Sequence, residues 1–282
     1  GACVKTCMQG VEVVYHTATL HKPHIVTHSM QDFIKVNIQG TLALLEAAAA
    51  EQVKAFIFTS TTSMFGDALR PPPNQPAAWV TEEVIPIPKN IYGTTKTAAE
   101  DLCHLFHRRH GLNCIILRTS RFFLEQDDDK EKRQSHSDDN LKANEFLYRR
   151  VDLEDIVSAH LLASEKSCDI RFGRDIISAT TPFLPEDLPE LRTHASKVLE
   201  KRVPEYEAVY QQLDWQMFKG IDRVYVNTAA RNALDWSPKY DFAYVLQCLQ
   251  AGQPFYSPLA RLVGTKGYHP VEFEDGPYPV ED

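Results

Sequence analysis

Glycine is scarce in this sequence, and long apolar runs are missing. Twelve of its 282 residues are glycine, well below the average share of about 7%. No stretch approaches the roughly 18 consecutive apolar residues that a membrane-spanning helix needs. No secretion signal is visible at the start of the chain either. These absences predict a cytoplasmic chain without a membrane partner, and they leave few positions for a glycine-rich loop.

Cysteine content and net charge exclude two further classes of protein. Six cysteines in a chain of this length do not make the dense disulfide framework of small secreted domains. Cys103, Cys114 and Cys248 lie in apolar segments and are predicted to be reduced, buried thiols. The formal net charge of −8 gives no electrostatic reason to expect nucleic acid as a partner.

Three apolar runs predict strands, and two helical patterns separate them. The strands fall at residues 11–15, 54–58 and 112–117, and the helices at 31–51 and 94–110. This alternation predicts an α/β fold with a Rossmann-like, doubly wound parallel sheet. Such sheets bind ligands beyond the carboxyl ends of their strands, where a hydroxyl-rich segment follows the second strand here.

Beyond residue 120 the pattern indicates a smaller, substrate-binding lobe. The highly charged stretch 125–140 predicts a mobile surface loop whose acidic residues are solvated. Asp152 is predicted to cap a helix that reaches Ala163. Further expected elements are a strand at 175–178, helices at 186–202 and 229–234, and an irregular, proline-rich tail. The expected regions are 1–120 (a partial dinucleotide-binding domain), 121–252 (substrate lobe with returning Rossmann elements) and 253–282 (the tail).

Tyr92 and Lys96 carry the sharpest chemical signal. A spacing of four residues places the two side chains on one face of a helix. Tyrosine is a poor base at neutral pH, but a neighbouring ammonium group lowers the pKa of a phenol. The phenol then becomes a useful acid and base for a substrate hydroxyl. An exposed pair without function is the alternative for this motif alone, and the hydroxyl-rich strand end upstream favours the catalytic interpretation.

In this context the chain resembles the extended short-chain dehydrogenases/reductases, and within them the NAD-dependent epimerase/dehydratase family that acts on nucleotide sugars. The motifs that carry the resemblance are Thr59-Ser60-Thr61 and Tyr92-Gly93-Thr94-Thr95-Lys96. Further segments match in family order: Val14-Tyr15-His16-Thr17-Ala18-Thr19, Asn37-Ile38-Gln39-Gly40-Thr41, Thr81-Glu82, Leu117-Arg118, Val151-Asp152-Leu153-Glu154-Asp155 and Leu234-Asp235-Trp236-Ser237-Pro238. Together they cover most of the chain.

The resemblance implies a role for each matched residue. The implied catalytic residues are Thr61, Tyr92 and Lys96, with Tyr92 as acid and base and Lys96 lowering its pKa and holding the nicotinamide ribose. The implied contacts to NAD or NADP are His16, Ala18, Thr19, Asn37, Thr59, Ser60, Tyr92 and Lys96. The implied contacts to a small-molecule substrate such as a UDP-sugar are Thr62, Ser63, Arg121, Arg149 and Arg150. A homodimer through the helix at 94–110 is implied as well.

Two departures from the family pattern matter. The Gly-x-x-Gly-x-x-Gly loop that wraps the cofactor pyrophosphate is absent. We therefore expect an N-terminally truncated relative or a fragment, and whether it binds the cofactor stays open. Arg121 stands where relatives have Asn. It either clamps a phosphate or carboxylate of the ligand or is a surface arginine paired with the acidic stretch.

Three histidines, His21, His24 and His28, follow the first predicted strand. Because no cysteine or carboxylate completes a ligand set, they predict the rim of the pocket and no metal site. Thr62-Ser63 stands where dehydratases of the family carry Asp-Glu, which favours an epimerase or a simple dehydrogenase/reductase.

Three functions remain open at this point. The sequence favours an NAD(P)-dependent epimerase or oxidoreductase that acts on a nucleotide sugar or related hydroxylated substrate by Tyr-assisted hydride transfer. The first alternative is a truncated, non-catalytic relative that serves as a binding or regulatory module. The second alternative is a reductase of small carbonyl compounds.

Overall fold

The structure is a computed structural model that describes residues 2–269 and residue 273. In this part of the chain the strands are β1 (Val13–His16), β2 (Ala55–Thr61), β3 (Ala78–Val80), β4 (Cys114–Thr119), β5 (Phe172–Ile177) and β6 (Arg223–Tyr225). Strands β1, β2, β4 and β5 form one parallel sheet in that order. Strands β3 and β6, which the sequence analysis missed, pair in parallel separately. The predicted parallel α/β fold is confirmed.

Helices surround the sheet and build the rest of the chain. The α-helices are α1 (Ala2–Met8), α2 (Met30–Phe33), α3 (Gly40–Ala50), α4 (Ile91–His110), α5 (Lys130–Ser135), α6 (Asp138–Phe146), α7 (Leu153–Glu165), α8 (Ser167–Ile170), α9 (Leu188–Leu191), α10 (Ala195–Arg202), α11 (Tyr206–Gln212), α12 (Thr228–Leu234), α13 (Phe242–Gln250) and α14 (Pro258–Val263). Short 3₁₀ helices lie at Lys22–Val26, Thr62–Phe65, Asp67–Leu69 and Pro185–Asp187, and Ile34–Gln39 is π-helical. Among the described residues no helix is long and apolar enough to cross a membrane.

Three predicted elements are wrong in detail. The single helix expected at 186–202 is interrupted between α9 and α10. The expected irregular tail contains α14, and the rest of it beyond residue 269, except residue 273, lies outside the described residues. The stretch 125–140 is no solvated loop, because it contains α5 and the start of α6, and Asp127 within it is buried. The regional boundaries at 120 and 252 stay predictions.

Strand β2 is buried on both faces of the sheet. Phe56 and Phe58 pack with residues of α3 and α4, whereas Ala55 and Ile57 pack with residues of α7 and α12 on the other face. Full burial of each such large side chain stabilises the fold by about 1.5–3 kcal/mol. Two-sided burial also explains why this strand lacks the alternation of polar and apolar residues. A separate core, formed mainly by residues after position 140, is rich in aromatic residues such as Phe146, Tyr210 and Phe242.

Helix α7 confirms the predicted cap and anchors a late motif. The carboxylate of Asp152 accepts a hydrogen bond from the backbone N–H of Glu154 at 2.8 Å, as an N-cap does. One turn on, the carboxylate of Asp155 accepts hydrogen bonds from the backbone N–H groups of Lys239 and Tyr240. The indole of Trp236 donates to Ser158 Oγ on the same helix. Cys103 and Cys114 are free and buried as predicted, and Cys248 is half-buried.

Asn37 links three parts of the fold that surround the end of β1. It lies in the π-helical turn between α2 and α3 and is only 2% exposed. Its amide group donates to the carbonyl oxygen of Leu20 and to Thr95 Oγ1 on α4, and its carbonyl oxygen accepts from the Leu20 N–H. The side chain therefore holds the segment after β1 against the helix that carries Tyr92.

We expect Asn37→Ala to lower the free energy of unfolding by about 2–4 kcal/mol, since the buried Thr95 hydroxyl and the half-buried backbone N–H and carbonyl of Leu20 all lose their hydrogen bond to Asn37. Urea denaturation measures this loss. The matched control is Asn113→Ala, because the Asn113 amide donates to Lys54 at an exposed position. We expect the control to lose less than about 1 kcal/mol. Equal losses in the two variants would contradict the structural role of Asn37.

Asp175 on β5 should make stability depend on pH. Its Oδ2 atom is buried with no hydrogen-bond partner among the described residues. Burial and the nearby Glu82 raise the pKa of Asp175 to about 7, against the opposing effect of Arg118. The folded state therefore binds this proton more tightly than the unfolded state, so stability falls as the pH rises from about 4 to about 7.

We expect Asp175→Asn to be roughly 2 kcal/mol more stable than the wild type at pH 8, and its stability should not fall between pH 4 and pH 7. The exposed Asp169→Asn is the control, and unfolding at pH 5 and pH 8 is the measurement.

Candidate functional site

The segment after β2 is joined to the segment that precedes α4. Asp67 N–H donates to the carbonyl oxygen of Ile87 at 2.9 Å, and Ile87 N–H donates to Phe65 at 3.2 Å. Gly66 has a positive φ of 53°, and a Cβ atom there would lie 1.9 Å from the Ile87 carbonyl oxygen. Only glycine allows this close approach. The junction brings the carboxyl end of β2 next to the start of α4.

Helix α4 begins three residues earlier than the sequence analysis expected. Asn90 caps it by accepting a hydrogen bond from Gly93 N–H at 3.1 Å. A Cβ atom on Gly93 would lie only 3.1 Å from Pro88 Cβ, so a small residue suits this crowded turn. Tyr92 and Lys96 both lie within the helix, one turn apart.

Thr61 and Tyr92 form a pair of hydroxyl groups at the end of β2. Tyr92 is buried, and burial raises the pKa of its phenol to about 12, while a side-chain hydrogen bond with Thr61 opposes this rise. The Thr61 hydroxyl oxygen also accepts a hydrogen bond from Ser63 N–H at 3.1 Å, which fixes its position. The two predicted catalytic side chains thus line the same pocket, close enough for Thr61 to affect the pKa of the phenol.

Lys96 lies beneath this pair and points to the strand. Its Nζ donates to the carbonyl oxygen of Thr59 at 2.6 Å and lies 3.9 Å from the centre of the Phe58 ring. Burial lowers the pKa of Lys96 to about 7, against the charge of Glu100. Burial, with the charge of Lys96, lowers the pKa of His16 to about 4. That Lys96 lowers the pKa of Tyr92 stays a prediction, since burial and Thr61 govern the phenol here.

A pocket of about 720 Å³ opens at the carboxyl ends of the main-sheet strands. The predicted site residues that line it are Thr19, Thr59, Ser60, Thr61, Thr62, Ser63, Tyr92, Arg121 and Arg149. The predicted residues that are not part of its lining are His16, Ala18, Asn37, Lys96 and Arg150. His16, for example, lies 2.8 Å from Thr41 Oγ1 through Nε2 and supports the strand end. Their direct roles in ligand binding stay predictions.

The sequence analysis missed several residues that line the pocket. Among them are Thr17, Lys22, Asp128, Arg223 and Tyr268. The predicted rim position is confirmed for His21, whose ring centre lies 5.9 Å from that of Tyr92, but His24 and His28 are not in the lining. Thr17 could have been predicted from its position directly after β1. Asp128 and Tyr268 could not, because they lie far along the chain from the strand ends that they approach. No metal-binding group of three or more His, Cys, Asp or Glu side chains exists among residues 2–269 and 273.

The acidic stretch supplies partners for the arginines of the pocket wall. Arg121 contacts Asp127 at 2.7 Å, Asp128 at 2.9 Å and Glu145 at 3.2 Å. The expectation of solvated acidic residues is therefore wrong for Asp127 and Asp128, because Arg121 binds both and Arg149 also binds Asp127. Of the two open interpretations for Arg121, the structure shows pairing with the acidic stretch.

The two arginines after α6 have different surroundings. Arg149 lines the pocket and contacts Glu145 at 2.6 Å and Asp127 at 3.0 Å. Arg150 is 2% exposed, and it binds the second oxygen of Glu145 at 2.7 Å and the carbonyl oxygen of Phe123 at 3.0 Å. Arg149 is thus the one placed to meet a ligand, and Arg150 supports it through Glu145.

Comparison with known proteins places this site in a family. The uncharacterised UDP-glucose epimerase YtcB of Bacillus subtilis is 29% identical over 120 residues, which cover 42% of this chain and 35% of that protein. L-arabinose 1-dehydrogenase (NAD(P)(+)) of Haloferax volcanii is 31% identical over 132 residues, or 44% of this chain and 50% of that protein. The chain thus spans half the length of these curated relatives or less.

A solved structure shares the fold. The UDP-glucuronic acid 4-epimerase of Bacillus cereus, in complex with UDP-glucuronic acid and NAD, superposes with a TM-score of 0.56 at 19% identity. The match covers 86% of this chain and 76% of that one. The sequence model of the NAD dependent epimerase/dehydratase family matches residues 1–171, more than half of the chain. The chain belongs to the NAD-dependent epimerase/dehydratase family.

Proposed function

We propose that the chain is an NAD(P)-dependent epimerase or oxidoreductase that acts on a nucleotide sugar or a related hydroxylated substrate. The observation that carries this proposal is that Thr61 and Tyr92 line one pocket at the carboxyl ends of a parallel sheet, with Lys96 buried and bound to the Thr59 carbonyl oxygen beside them. Ligand sites of doubly wound folds lie at this end of the sheet. Membership of the family supports the same conclusion.

The residues around Tyr92 fit the nicotinamide end of a dinucleotide. Thr17, Thr19, Thr59 and Ser60 line the pocket beside the two strand ends and offer hydroxyl and backbone groups. The sequence has no glycine-rich loop to hold the pyrophosphate. When bound, NAD or NADP would supply the acceptor and donor of hydride. The described residues therefore fit the nicotinamide ribose end of the dinucleotide, and we assign no residues to the rest of it.

The chain's own residues would manage the proton of the reacting hydroxyl. As the carbinol carbon loses hydride, the oxygen gives its proton to the Tyr92 phenolate and becomes a carbonyl oxygen. Thr61, which lines the same pocket as Tyr92 and whose Oγ1 accepts from Ser63 N–H, would donate a hydrogen bond to that oxygen. Lys96 would stabilise the phenolate once its Nζ turns from the Thr59 carbonyl oxygen toward the ligand.

The substrate class follows from chemistry that the relatives share. Their names refer to UDP-glucose in one case and to the free sugar L-arabinose in another. Both are polyhydroxylated compounds with a secondary alcohol or hemiacetal that can be oxidised. Thr62-Ser63 lines the pocket where dehydratases carry two acids, which supports an epimerase or oxidoreductase over a dehydratase. A homodimer through α4 and a cytoplasmic location remain predictions.

A non-catalytic binding module is the second candidate. The raised pKa of Tyr92 and the hydrogen bond of Lys96 to the Thr59 carbonyl oxygen support it, because neither group is poised for proton transfer. The convergence of Thr61 and Tyr92 on one pocket and the burial of Lys96 favour catalysis, because a module without activity has no need to bury an ionisable lysine. Cofactor titration separates the two candidates.

We expect the purified chain to bind NAD⁺ or NADP⁺ in a calorimetric titration, and Lys96→Ala to weaken binding at least about tenfold through loss of the ribose contact. Lys54→Ala is the control, since its exposed ammonium group pairs with Glu12. A folded chain that binds neither dinucleotide would rule out the enzyme proposal and leave the binding module.

We expect alcohol oxidation to accelerate with pH between about 7 and 10, up to about tenfold per unit, because the reactive form of Tyr92 is the phenolate. The pKa near 12 places this rise above neutrality. Tyr92→Phe should reduce turnover by about 10²–10⁴-fold and abolish the pH dependence. Stopped assays of NADH formation across this range provide the measurement. A variant Tyr92→Phe with the same profile as the wild type would show that another group takes the proton.

A further inference from the structure

One wall of the pocket is built from an ionic cluster that the proposed chemistry does not use. We call it the arginine–carboxylate cluster, and its members are Arg121, Asp127, Asp128, Glu145, Arg149 and Arg150. Asp127, Glu145 and Arg150 form its buried side, each under 5% exposed. Arg121, Asp128 and Arg149 form the side that lines the pocket. Three positive and three negative side chains therefore meet at this wall.

Every arginine of the cluster is bound to at least one carboxylate. Asp127 Oδ2 lies 2.7 Å from Arg121 and 3.0 Å from Arg149, and Glu145 Oε1 lies 2.6 Å from Arg149. Asp128 Oδ1 takes the second terminal nitrogen of Arg121 at 2.9 Å. These contacts have the length of charge-assisted hydrogen bonds, so the guanidinium groups are engaged within the protein.

Asp128 also binds a lysine from the other side of the pocket lining. Its Oδ2 lies 2.8 Å from Lys22 Nζ, in the segment after β1 and 106 residues away in sequence. Burial raises the pKa of the Asp128 carboxyl, but the charges of Arg121 and Lys22 outweigh it and hold that pKa far below its ordinary value. The carboxylate is therefore charged at any working pH and serves as an internal anion for two pocket cations.

A nucleotide diphosphate would have to compete with this internal anion. A pyrophosphate placed at this wall would be held by arginine or lysine donors, because phosphate oxygens lose strong hydration on burial. Two further cations of the pocket lining also have carboxylates nearby. Lys132 Nζ lies 3.4 Å from Asp129 Oδ2, and Arg223 Nε lies 3.6 Å from Asp222 Oδ1. Binding a diphosphate at the cluster therefore requires that Asp128 leaves its partners and faces the phosphate charge.

We propose that the site takes an uncharged, polyhydroxylated substrate, such as a free sugar or polyol, and that Asp128 excludes nucleotide diphosphates by neutralising Arg121 and Lys22. This inference rests on the proposed hydride-transfer function and narrows its substrate class. The rest of the lining suits such a ligand. Hydroxyl groups of Thr61, Thr62, Ser63, Thr119 and Ser120 line the pocket together with the carboxylates of Asp128 and Asp129. Sugar hydroxyls can donate to these carboxylates and bond to these hydroxyls without a cost of desolvating a formal charge.

The test compares UDP-glucose binding by calorimetry between the wild type and Asp128→Asn, without added cofactor. Asparagine has nearly the same shape but no charge, so it releases Lys22 Nζ and removes the ion pair between Asp128 and Arg121. We expect the variant to bind UDP-glucose at least about tenfold more tightly, with a gain that disappears at 1 M salt. The matched control is Glu131→Gln, which removes one charge from the lining of the same pocket, whereas Glu131 forms no ion pair with a cation among residues 2–269 and 273.

A gain of less than tenfold in Asp128→Asn, or an equal gain in Glu131→Gln, overturns the proposal. A second variant covers the case in which Asp128→Asn does not fold. Lys22→Met removes a cation that the proposal holds unavailable to ligands, so UDP-glucose affinity should not fall. A tenfold fall would identify Lys22 as a phosphate donor and overturn the proposal as well.

These results are independent of the hydride chemistry. Failure of cofactor binding sinks the proposed function even if Asp128→Asn gains affinity for UDP-glucose. The opposite outcome is also possible. If the wild type binds NAD⁺ and oxidises a UDP-sugar, and Asp128→Asn does not bind that sugar more tightly, the proposed function stands and the restriction to uncharged substrates is wrong.

Discussion

The position of every group at the site depends on the burial of β2 between two layers of helices. Its side chains alternate between the face of α3 and α4 and the face of α7 and α12. A shift of one residue would exchange the two faces and place Phe56 and Phe58 against the wrong helices. The register therefore fixes where β2 ends, and Thr61, Thr59 and the lysine beneath them follow from that end.

The same constraint extends to residues far along the chain. Helix α7 covers one face of β2, and through Asp155 and Ser158 it binds the late segment that contains Trp236. Asn37 binds the segment after β1 to α4 on the other face. Motifs that share no chemistry with the substrate thus hold the strand ends in place. These motifs therefore have a structural role. Their order in the sequence follows the order in which the chain packs on one face of the sheet and then on the other.

The sequence alone predicted those features of the fold and the site that depend on neighbouring residues in the chain. Strand and helix order, the Asp152 cap and the placement of Tyr92 beside Thr61 followed from periodicity, capping chemistry and the resemblance. It was insufficient where partners come from distant positions. The charges around Asp127 look solvated in sequence, where pairing of Arg121 with this stretch is one open interpretation, and the fold adds Arg149 as a second partner of Asp127. Asn37 likewise resembles a cofactor contact, although its three hydrogen bonds are internal.

The purely parallel main sheet also has a consequence for how the chain reaches this state. Paired residues such as Val13 and Ala55, Phe56 and Cys114, or Cys114 and Phe172 lie far apart in sequence. Each pairing of strands orders the long segment between them. The conformational entropy of that segment is lost before the packing of the helices stabilises the sheet. Folding should therefore be slow, and apolar strands such as β2 stay exposed during it. Expression at low temperature or with chaperones would then govern the yield of active chain more than the final stability does.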